Sequence, residues 1–419
     1  FGIQIFCANI VDKFRDNTLL QNANISLLVK DLQTNKTLYE FRPNSSIITA
    51  STMKVITTAT ALEMFGPDFR METKLEIDGE ITKDGVLTGN LYIKGGGDPT
   101  LGSAKIGDND FLSKWVGAVL NAGIKKINGS IIANDYFFEQ QVINPKWTWE
   151  DMGNYYAAGI HGISYLDNTF RLVFKSGKIG TSPEIIQIDP EIPGLQIQNL
   201  VKVTSTNSDN AYFYAAPFSN ERYVTGEIPA NKNEFPVKGD IPNPGLLLAQ
   251  HFHKKLNDAG CEINELPRSE RIDNCKKFAI YTHYSPTLQE IINETNITSN
   301  NLFAEYLFKQ IGAKTSIPGT VDNAISNIKS FWKSKGLSVD ELFQCDGSGL
   351  SPSNAVSANF FVELLFYMKE KSKYSDVFYQ SLPVSGESGT LKTILEKTPL
   401  KGKVHAKSGS ISRVKSYVG

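Results

Sequence analysis

The sequence predicts an α+β protein in which helical segments near both ends of the chain flank a β-rich middle. Three observations carry this. Ile56, Ala59, Leu62 and Phe65 keep helical spacing, so a buried helix is expected from Ser51 to about Gly66-Pro67. From about Asp68 short alternating segments take over, and residues 170–270 are rich in β-branched residues and turns. From about Phe278 the helical spacing returns.

In chain order, residues 8–20 read as an amphipathic helix. Ile25 to Val29 and Thr37 to Phe41 read as a hairpin, with Gln33-Thr34-Asn35-Lys36 as its turn. After the Ser51 helix come short strands at Thr73 to Ile77 and Gly89 to Ile93. Gly95-Gly96-Gly97 precedes Asp98-Pro99, not Lys-Ser/Thr, so it reads as a tight turn and not a phosphate loop. Phe111 to Ala122 reads as a helix and Ile127 to Asn134 as a strand. Pro145 to Met152 is an aromatic-rich loop with two adjacent acids. Phe170 to Phe174 and Val201 to Val203 are strands of a β-dominated insert. Helices are expected from Pro286, from Asn300 to Ile311, over 320–335 and from Asn359 to Lys369. Gly402 to Gly409 and Ser416 to Gly419 read as two neighbouring strands.

Composition narrows the function. Lys and Arg number 43 against 44 Asp and Glu, which leaves no electrostatic footprint for nucleic acid. No apolar run is long enough to span a bilayer. The chain starts Phe1-Gly2-Ile3, without Met or a basic leader, so a processed form with its export signal removed is expected. None of Cys7, Cys261, Cys275 and Cys345 forms Cys-x-x-Cys. Cys261 and Cys275 are either a short disulfide loop or free thiols. His251-x-His253 reads as a surface pair rather than a metal site.

Ser51-Thr52-Met53-Lys54 carries the chemistry. A serine and a lysine three apart share one helix face, and the first turn favours developing negative charge. Lys54 can then take the proton of Ser51, which activates a nucleophile without histidine. The same spacing recurs at Ser326–Lys329, Ser330–Lys333 and Ser412–Lys415, so it needs support from elsewhere. Ser299-Asn300-Asn301 is Ser-x-Asn just before a buried helix, and Lys407-Ser408-Gly409 lies on a late strand. Ser208-Asp209-Asn210 competes with Ser299, but no strong helix follows it. Gly409 permits close backbone approach to a ligand.

Ser-x-x-Lys, Ser-x-Asn and Lys-Ser/Thr-Gly together are the motif set of penicillin-binding proteins and class A β-lactamases. The chain resembles one family over most of its length: the type-4 penicillin-binding proteins, which are D-Ala-D-Ala carboxypeptidases and endopeptidases of peptidoglycan. Gly95 to Leu101, Asp346 to Ser351, Ser381-Leu382-Pro383-Val384 and Gly389-Thr390-Leu391 add to the match. The resemblance implies a β-lactamase/DD-peptidase-like catalytic domain, an antiparallel sheet with helices, carrying two inserted, mainly β domains. That domain would comprise 1–67 plus 275–419, with inserts over 68–165 and 166–274 that adjoin or nest. The well over two hundred residues between Lys54 and Ser299 resemble these inserts.

Carried over residue by residue, the resemblance implies Ser51 as nucleophile and Lys54 as proton acceptor. Crowding by Lys407 in a partly desolvated cleft would keep Lys54 neutral. Ser299 resembles the proton relay to the leaving D-alanine, and Asn301 the amide that holds Lys54 and the substrate peptide. Lys407 and Ser408, followed by Gly409, resemble the receptor of the terminal carboxylate. The backbone N–H groups of Ser51 and Ser410 would form the oxyanion hole. Asp151 and Tyr156 fall where type-4 members present an acid and an aromatic to the stem peptide, the acid pairing with an amine as on diaminopimelate. Pro352 stands where a diaminopimelate-binding member can carry arginine, and Ser408 replaces the commoner threonine. The implied partners are peptidoglycan stem peptides and, as covalent inhibitors, β-lactams. The implied location is periplasmic or otherwise extracytoplasmic. No metal or cofactor is called for. The alternatives are a β-lactamase, for which no Glu-x-x-x-Asn loop follows Ser299 at the usual distance, and a cell-wall-binding protein with a vestigial site.

Overall fold

The computed structural model describes residues 11–14, 16–273 and 277–419. The chain divides into two compact units. The first combines the chain up to Phe69 with Leu288–Thr315 and Val321–Gly419, and the second comprises Arg70–Thr287 and Ser316–Thr320.

The first unit is built around the helix Met53–Phe65, entered through one 3-10 turn, Ala50–Thr52. Every residue from Met53 to Leu62 is buried. A helix buried all round needs its polar groups satisfied internally. Accordingly, Thr58 donates to the carbonyl of Lys54 at 2.7 Å and Thr60 to that of Ile56 at 2.6 Å. Helices Leu288–Ile297, Asn301–Ala313, Val321–Ser334 and Ala358–Glu370 pack against it. Phe303, Leu307, Ile328, Trp332 and Leu364 supply the interlocking apolar surface, each fully buried. A side chain of this kind contributes roughly 1.5–3 kcal/mol when withdrawn from water. The Trp332 indole also donates to Thr60 Oγ1 at 2.8 Å, tying a distant helix to the centre.

Antiparallel hairpins add to this unit. Leu27–Asp31 pairs with Lys36–Phe41, close to the hairpin expected from sequence. Lys407–Ile411 pairs with Val414–Val418, with Gly409 opposite Ser416 and Ser410 opposite Lys415. The late strand starts only at Lys407, five residues beyond the expected Gly402. Of the helix expected over 8–20, residues 8–10 and 15 lie outside the described residues; 11–14 are helical, and Thr18–Leu20 is a 3-10 turn.

In the second unit a five-stranded mixed sheet runs in the order Arg268–Glu270, Ile131–Asn134, Leu91–Lys94, Glu72–Ile77, Phe278–Tyr284. Two three-stranded sheets hold the strands between Thr169 and Asp240. The β-dominated reading of 170–270 needs one correction: Pro244–Asp258 is a helix of 15 residues. Asn243 caps it by accepting from Leu246 N at 2.9 Å, Pro244 opens it, and Leu247, Leu248, Phe252 and Leu256 are buried. The run Ile241-Pro242-Asn243-Pro244-Gly245 looks like a turn in sequence, yet it is a helix start.

His251 and His253 lie on this helix, where residues two apart point to different faces. His251 Nδ1 is 2.9 Å from the Tyr165 hydroxyl, and His253 Nδ1 is 3.2 Å from Asn257 Nδ2. Among the described residues no group of three or more His, Cys, Asp or Glu is placed to hold a metal ion. Cys261 is buried, and Cys275 lies outside the described residues. No helix among the described residues is long and apolar enough to cross a membrane.

Candidate active site

Three segments of the first unit meet at the start of the central helix. Ala50, immediately before Ser51, has φ +47, and Ser299 has φ +61. Each left-handed non-glycine residue costs about 1–2 kcal/mol, so the surrounding packing must hold both in place. At Ala50 the restraint is visible. A Cβ on Gly349 would fall 1.8 Å from the Ala50 carbonyl oxygen, so the Asp346–Ser351 loop lies directly against this turn. On the other side, the ideal Cβ position of Gly409 is 2.5 Å from Thr49 O and 2.9 Å from Ser51 N. The closeness that Gly409 permits is therefore to the chain's own Ser51 turn, where the sequence suggested a ligand.

Lys54 is fully buried, whereas Ser51 is only partly so. The Lys54 Nζ lies 3.0 Å from Ser51 Oγ, 2.7 Å from Asn301 Oδ1 and 2.8 Å from the Ser348 carbonyl oxygen. Asn301 and Ser348 offer only acceptors at these contacts. A neutral amine has two N–H bonds and one lone pair. Donating both to Asn301 and Ser348 leaves the lone pair for the hydroxyl proton of Ser51.

Burial favours that neutral state, drawing the Lys54 pKa down from 10.5 to about 7. The nearby carboxylates of Asp346 and Glu305 oppose the shift. Of the two expected causes, the desolvated cleft and crowding by Lys407, burial is the one that depresses Lys54, and Lys407 in turn responds to the charge of Lys54. The pKa of Lys407 is lowered to about 6, first by burial and then by Lys54. Lys407 Nζ donates to Ser299 Oγ at 2.9 Å and to the Ser408 carbonyl at 2.7 Å.

Sequence reasoning missed the support behind Lys54. Glu305 accepts from Gly347 N at 3.1 Å and Ser348 N at 2.8 Å. Asp346 accepts from Gly349 N at 2.8 Å, Ser351 N at 2.7 Å and Asn354 Nδ2 at 2.8 Å. Together they fix the loop that presents the Ser348 carbonyl. Burial, and next the charge of Asp346, push the Glu305 pKa up to about 7. The signal was an acid inside the buried run Leu302 to Ile311. Thr390, in a matched segment to which no role was given, accepts from Ser408 Oγ at 2.8 Å.

Other candidates have different surroundings. Ser410 Oγ is 2.6 Å from Lys415 Nζ. Ser326 and Ser330 are exposed on the helix Val321–Ser334, Ser412 is exposed in a turn, and Ser208 is exposed in a loop. Pro352 is exposed in a turn after the Asp346–Ser351 loop. Asp151 and Tyr156 belong to the second unit. Asp151 Oδ2 accepts from Thr148 Oγ1 at 2.6 Å and Thr148 N at 3.2 Å. Burial, and next the charge of Asp151, raise the Tyr156 pKa well above the ordinary phenol value.

The chain is similar to several characterised proteins. It is 27% identical over 422 residues to a D-alanyl-D-alanine carboxypeptidase of Actinomadura sp. strain R39, covering 98% of this chain and 77% of that one. It is 24% identical over 427 residues to D-alanyl-D-alanine carboxypeptidase DacB of Haemophilus influenzae, covering 100% of this chain and 86% of the relative. The fold matches the crystal structure of penicillin binding protein 4 (dacB) from Haemophilus influenzae with a TM-score of 0.81. That match has 24% identity and covers 94% of this chain and 86% of the other. The family description matches residues 7–419, and the chain accordingly belongs to the D-Ala-D-Ala carboxypeptidase 3 (S13) family.

Proposed function

We propose that this serine-type D-Ala-D-Ala carboxypeptidase works through an acyl-enzyme on Ser51, with Lys54 as general base. The observation that carries the proposal is the set of three partners around Lys54 Nζ, which leaves its lone pair for Ser51.

The terminal carboxylate of the stem peptide meets Lys407 and the hydroxyl of Ser408. Ser51 Oγ attacks the carbonyl carbon between the two D-alanines, and its proton passes to Lys54 Nζ. The backbone N–H groups of Ser51 and Ser410 receive the oxyanion. The proton that Lys54 took reaches the leaving nitrogen through Ser299 Oγ, which Lys407 holds by a hydrogen bond, and Lys54 is neutral again. The C–N bond breaks and D-alanine leaves. Water, deprotonated by Lys54, then attacks the ester, and the proton returns to Ser51 Oγ. With a β-lactam the leaving nitrogen stays tethered to the acyl group, so the adduct persists.

The remaining assignments follow the same reading. Asp151 pairs with an amine on the stem-peptide side chain, and Tyr156 offers that side chain an aromatic surface. The working compartment is extracytoplasmic, where peptidoglycan lies. Mass analysis of the intact protein after mixing with penicillin, followed by peptide mapping, tests the scheme. One adduct on Ser51, absent from Ser51→Ala, is expected. An adduct on Ser326 or Ser330, or none, would overturn it.

A further inference from the structure

The second unit holds a cavity of about 500 Å³ that no step of the peptidase scheme uses. It lies at one end of a three-stranded sheet, where Gln196–Thr204 and Glu221–Pro229 begin and Asn210–Tyr214 ends. Trp149, Tyr214, Tyr223, Gln198, Ser219 and Glu221 are among the residues that line it. The strand register sets Tyr214 opposite Tyr223, and Gln198 opposite Tyr223 on its other side. The two tyrosine rings stack with centroids 5.0 Å apart and planes 11° apart. Trp149 extends the row, 6.2 Å from Tyr214 at 32°. Trp149 is 53% exposed, so a large apolar ring stands in water at the cavity wall.

The walls exclude several ligand classes. Arg222 is the one cationic side chain among the lining residues, and its Nη1 already donates to Asp240 Oδ1 at 2.5 Å. An anion at this wall would have to compete with Asp240 for that charge. A quaternary or primary ammonium is best held by rings boxed around it, whereas Tyr214 and Tyr223 stack nearly parallel and Trp149 stands beside Tyr214, tilted by 32°. Besides the ion-paired Arg222, the polar side chains of the wall are the amides of Gln196 and Gln198, the hydroxyls of Ser219, Tyr214 and Tyr223, and the carboxylate of Glu221, which suit a ligand rich in hydroxyl and amide groups. A neutral molecule with a flat C–H face and a hydrogen-bonding rim fits both halves of this lining. A pyranose has that form: its C–H face lies against the negative face of an aromatic ring, and its rim meets the amides.

We propose that this cavity binds an acetamido-sugar ring of a glycan strand, engaging the polymer that carries the stem peptides. The site is chemically independent of Ser51, so either reading can fail without the other.

The test titrates the whole protein with tri-N-acetylchitotriose, followed by tryptophan fluorescence and calorimetry. Saturable binding in the millimolar range or tighter is expected. Losing one ring stack should weaken it about tenfold in Tyr223→Ala. Trp149→Ala, on an exposed loop, gives the same reading if Tyr223→Ala does not fold. In catalysis, the Tyr223→Ala kcat/KM on glycan-linked stem peptides should fall relative to that on free stem peptide. Absence of saturation by the saccharide overturns the proposal. So does unchanged affinity in both variants, which would put the sugar elsewhere, or preferential binding of lysine methyl ester, which would make the row an ammonium site. Penicillin labelling of Ser51, measured separately by mass, reports on the peptidase scheme alone.

Discussion

Asn301 and Glu305 stand one turn apart on the same helix and reach Lys54 by two routes. Asn301 Oδ1 accepts directly from Nζ at 2.7 Å. Glu305 holds the N–H of Ser348 at 2.8 Å, and the Ser348 carbonyl accepts from Nζ at 2.8 Å. Residues i and i+4 share a helix face, so one rigid element fixes two of the three contacts around the amine. The arrangement positions the lone pair, while the charge of Glu305 supports the positive charge Lys54 acquires as Ser51 attacks.

Glu305→Gln separates those two effects. Glu305 raises the Lys54 pKa, so removing its charge lowers that pKa further. Where Glu305 is ionised, Lys54 then stays neutral to lower pH, and the acid limb of penicillin acylation should move down. One backbone N–H also loses its acceptor, and the maximal rate should fall on the order of tenfold. Glu305→Asp keeps the charge and should hold the limb in place. Acylation rates measured against pH for both variants decide the matter: a limb that stays put in Glu305→Gln would leave Glu305 only a packing role.

The pH dependence of the unmodified enzyme has a defined form. Lys54, at about 7, must be neutral to accept a proton, so activity grows as pH rises through that value. Lys407, at about 6, must be protonated to attract a carboxylate, so binding weakens as pH rises past it. The competent pair is a minor species, most populated between these two values, and kcat/KM should trace a bell whose flanks belong to the pair. A bound carboxylate holds the proton on Lys407, so kcat should keep the acid limb and lose the nearby basic one. Initial rates on a D-Ala-D-Ala peptide across pH check this. A kcat/KM that climbs steadily to pH 9 would show that a charged Lys407 is not required.

What could be read in the sequence was the part written locally. Ser51 and Lys54 are one helical turn apart, and the spacing of Ile56, Ala59 and Leu62 exposes the buried helix beneath them. Leu302, Phe303, Tyr306 and Leu307 did the same for the helix that follows Ser299. The support of Lys54 was harder to see because it is made by backbone groups of a remote loop. Nothing in Gly347-Ser348 announces that its peptide groups bridge Glu305 to Lys54. The helix Pro244–Asp258 was hidden by its own start, since Pro, Asn and Gly mark turns and helix N-termini alike. The cause of the Lys54 shift needed coordinates, because burial is a property of the packed state.

Gly409→Ala tests whether the late strand must touch the Ser51 turn. The added methyl would lie 2.3 Å from Ser416 Oγ, 2.5 Å from Thr49 O and 2.9 Å from Ser51 N. The serine hydroxyl can rotate away, but the two backbone atoms belong to the turn that carries the nucleophile. Relief therefore requires the strand Lys407–Ile411 to move off that turn, taking Lys407 and Ser408 with it. Overpacking of this kind costs about 1–3 kcal/mol, so the melting temperature should fall by several degrees while the chain stays folded. Acylation should suffer more than stability, by on the order of a hundredfold, because a displacement of 1 Å or so disrupts the attack geometry. Thermal melting and penicillin labelling of the same preparation give both numbers. Full-rate acylation in Gly409→Ala would mean that the strand yields without disturbing Ser51, and that its contact with the turn is not part of the catalytic geometry.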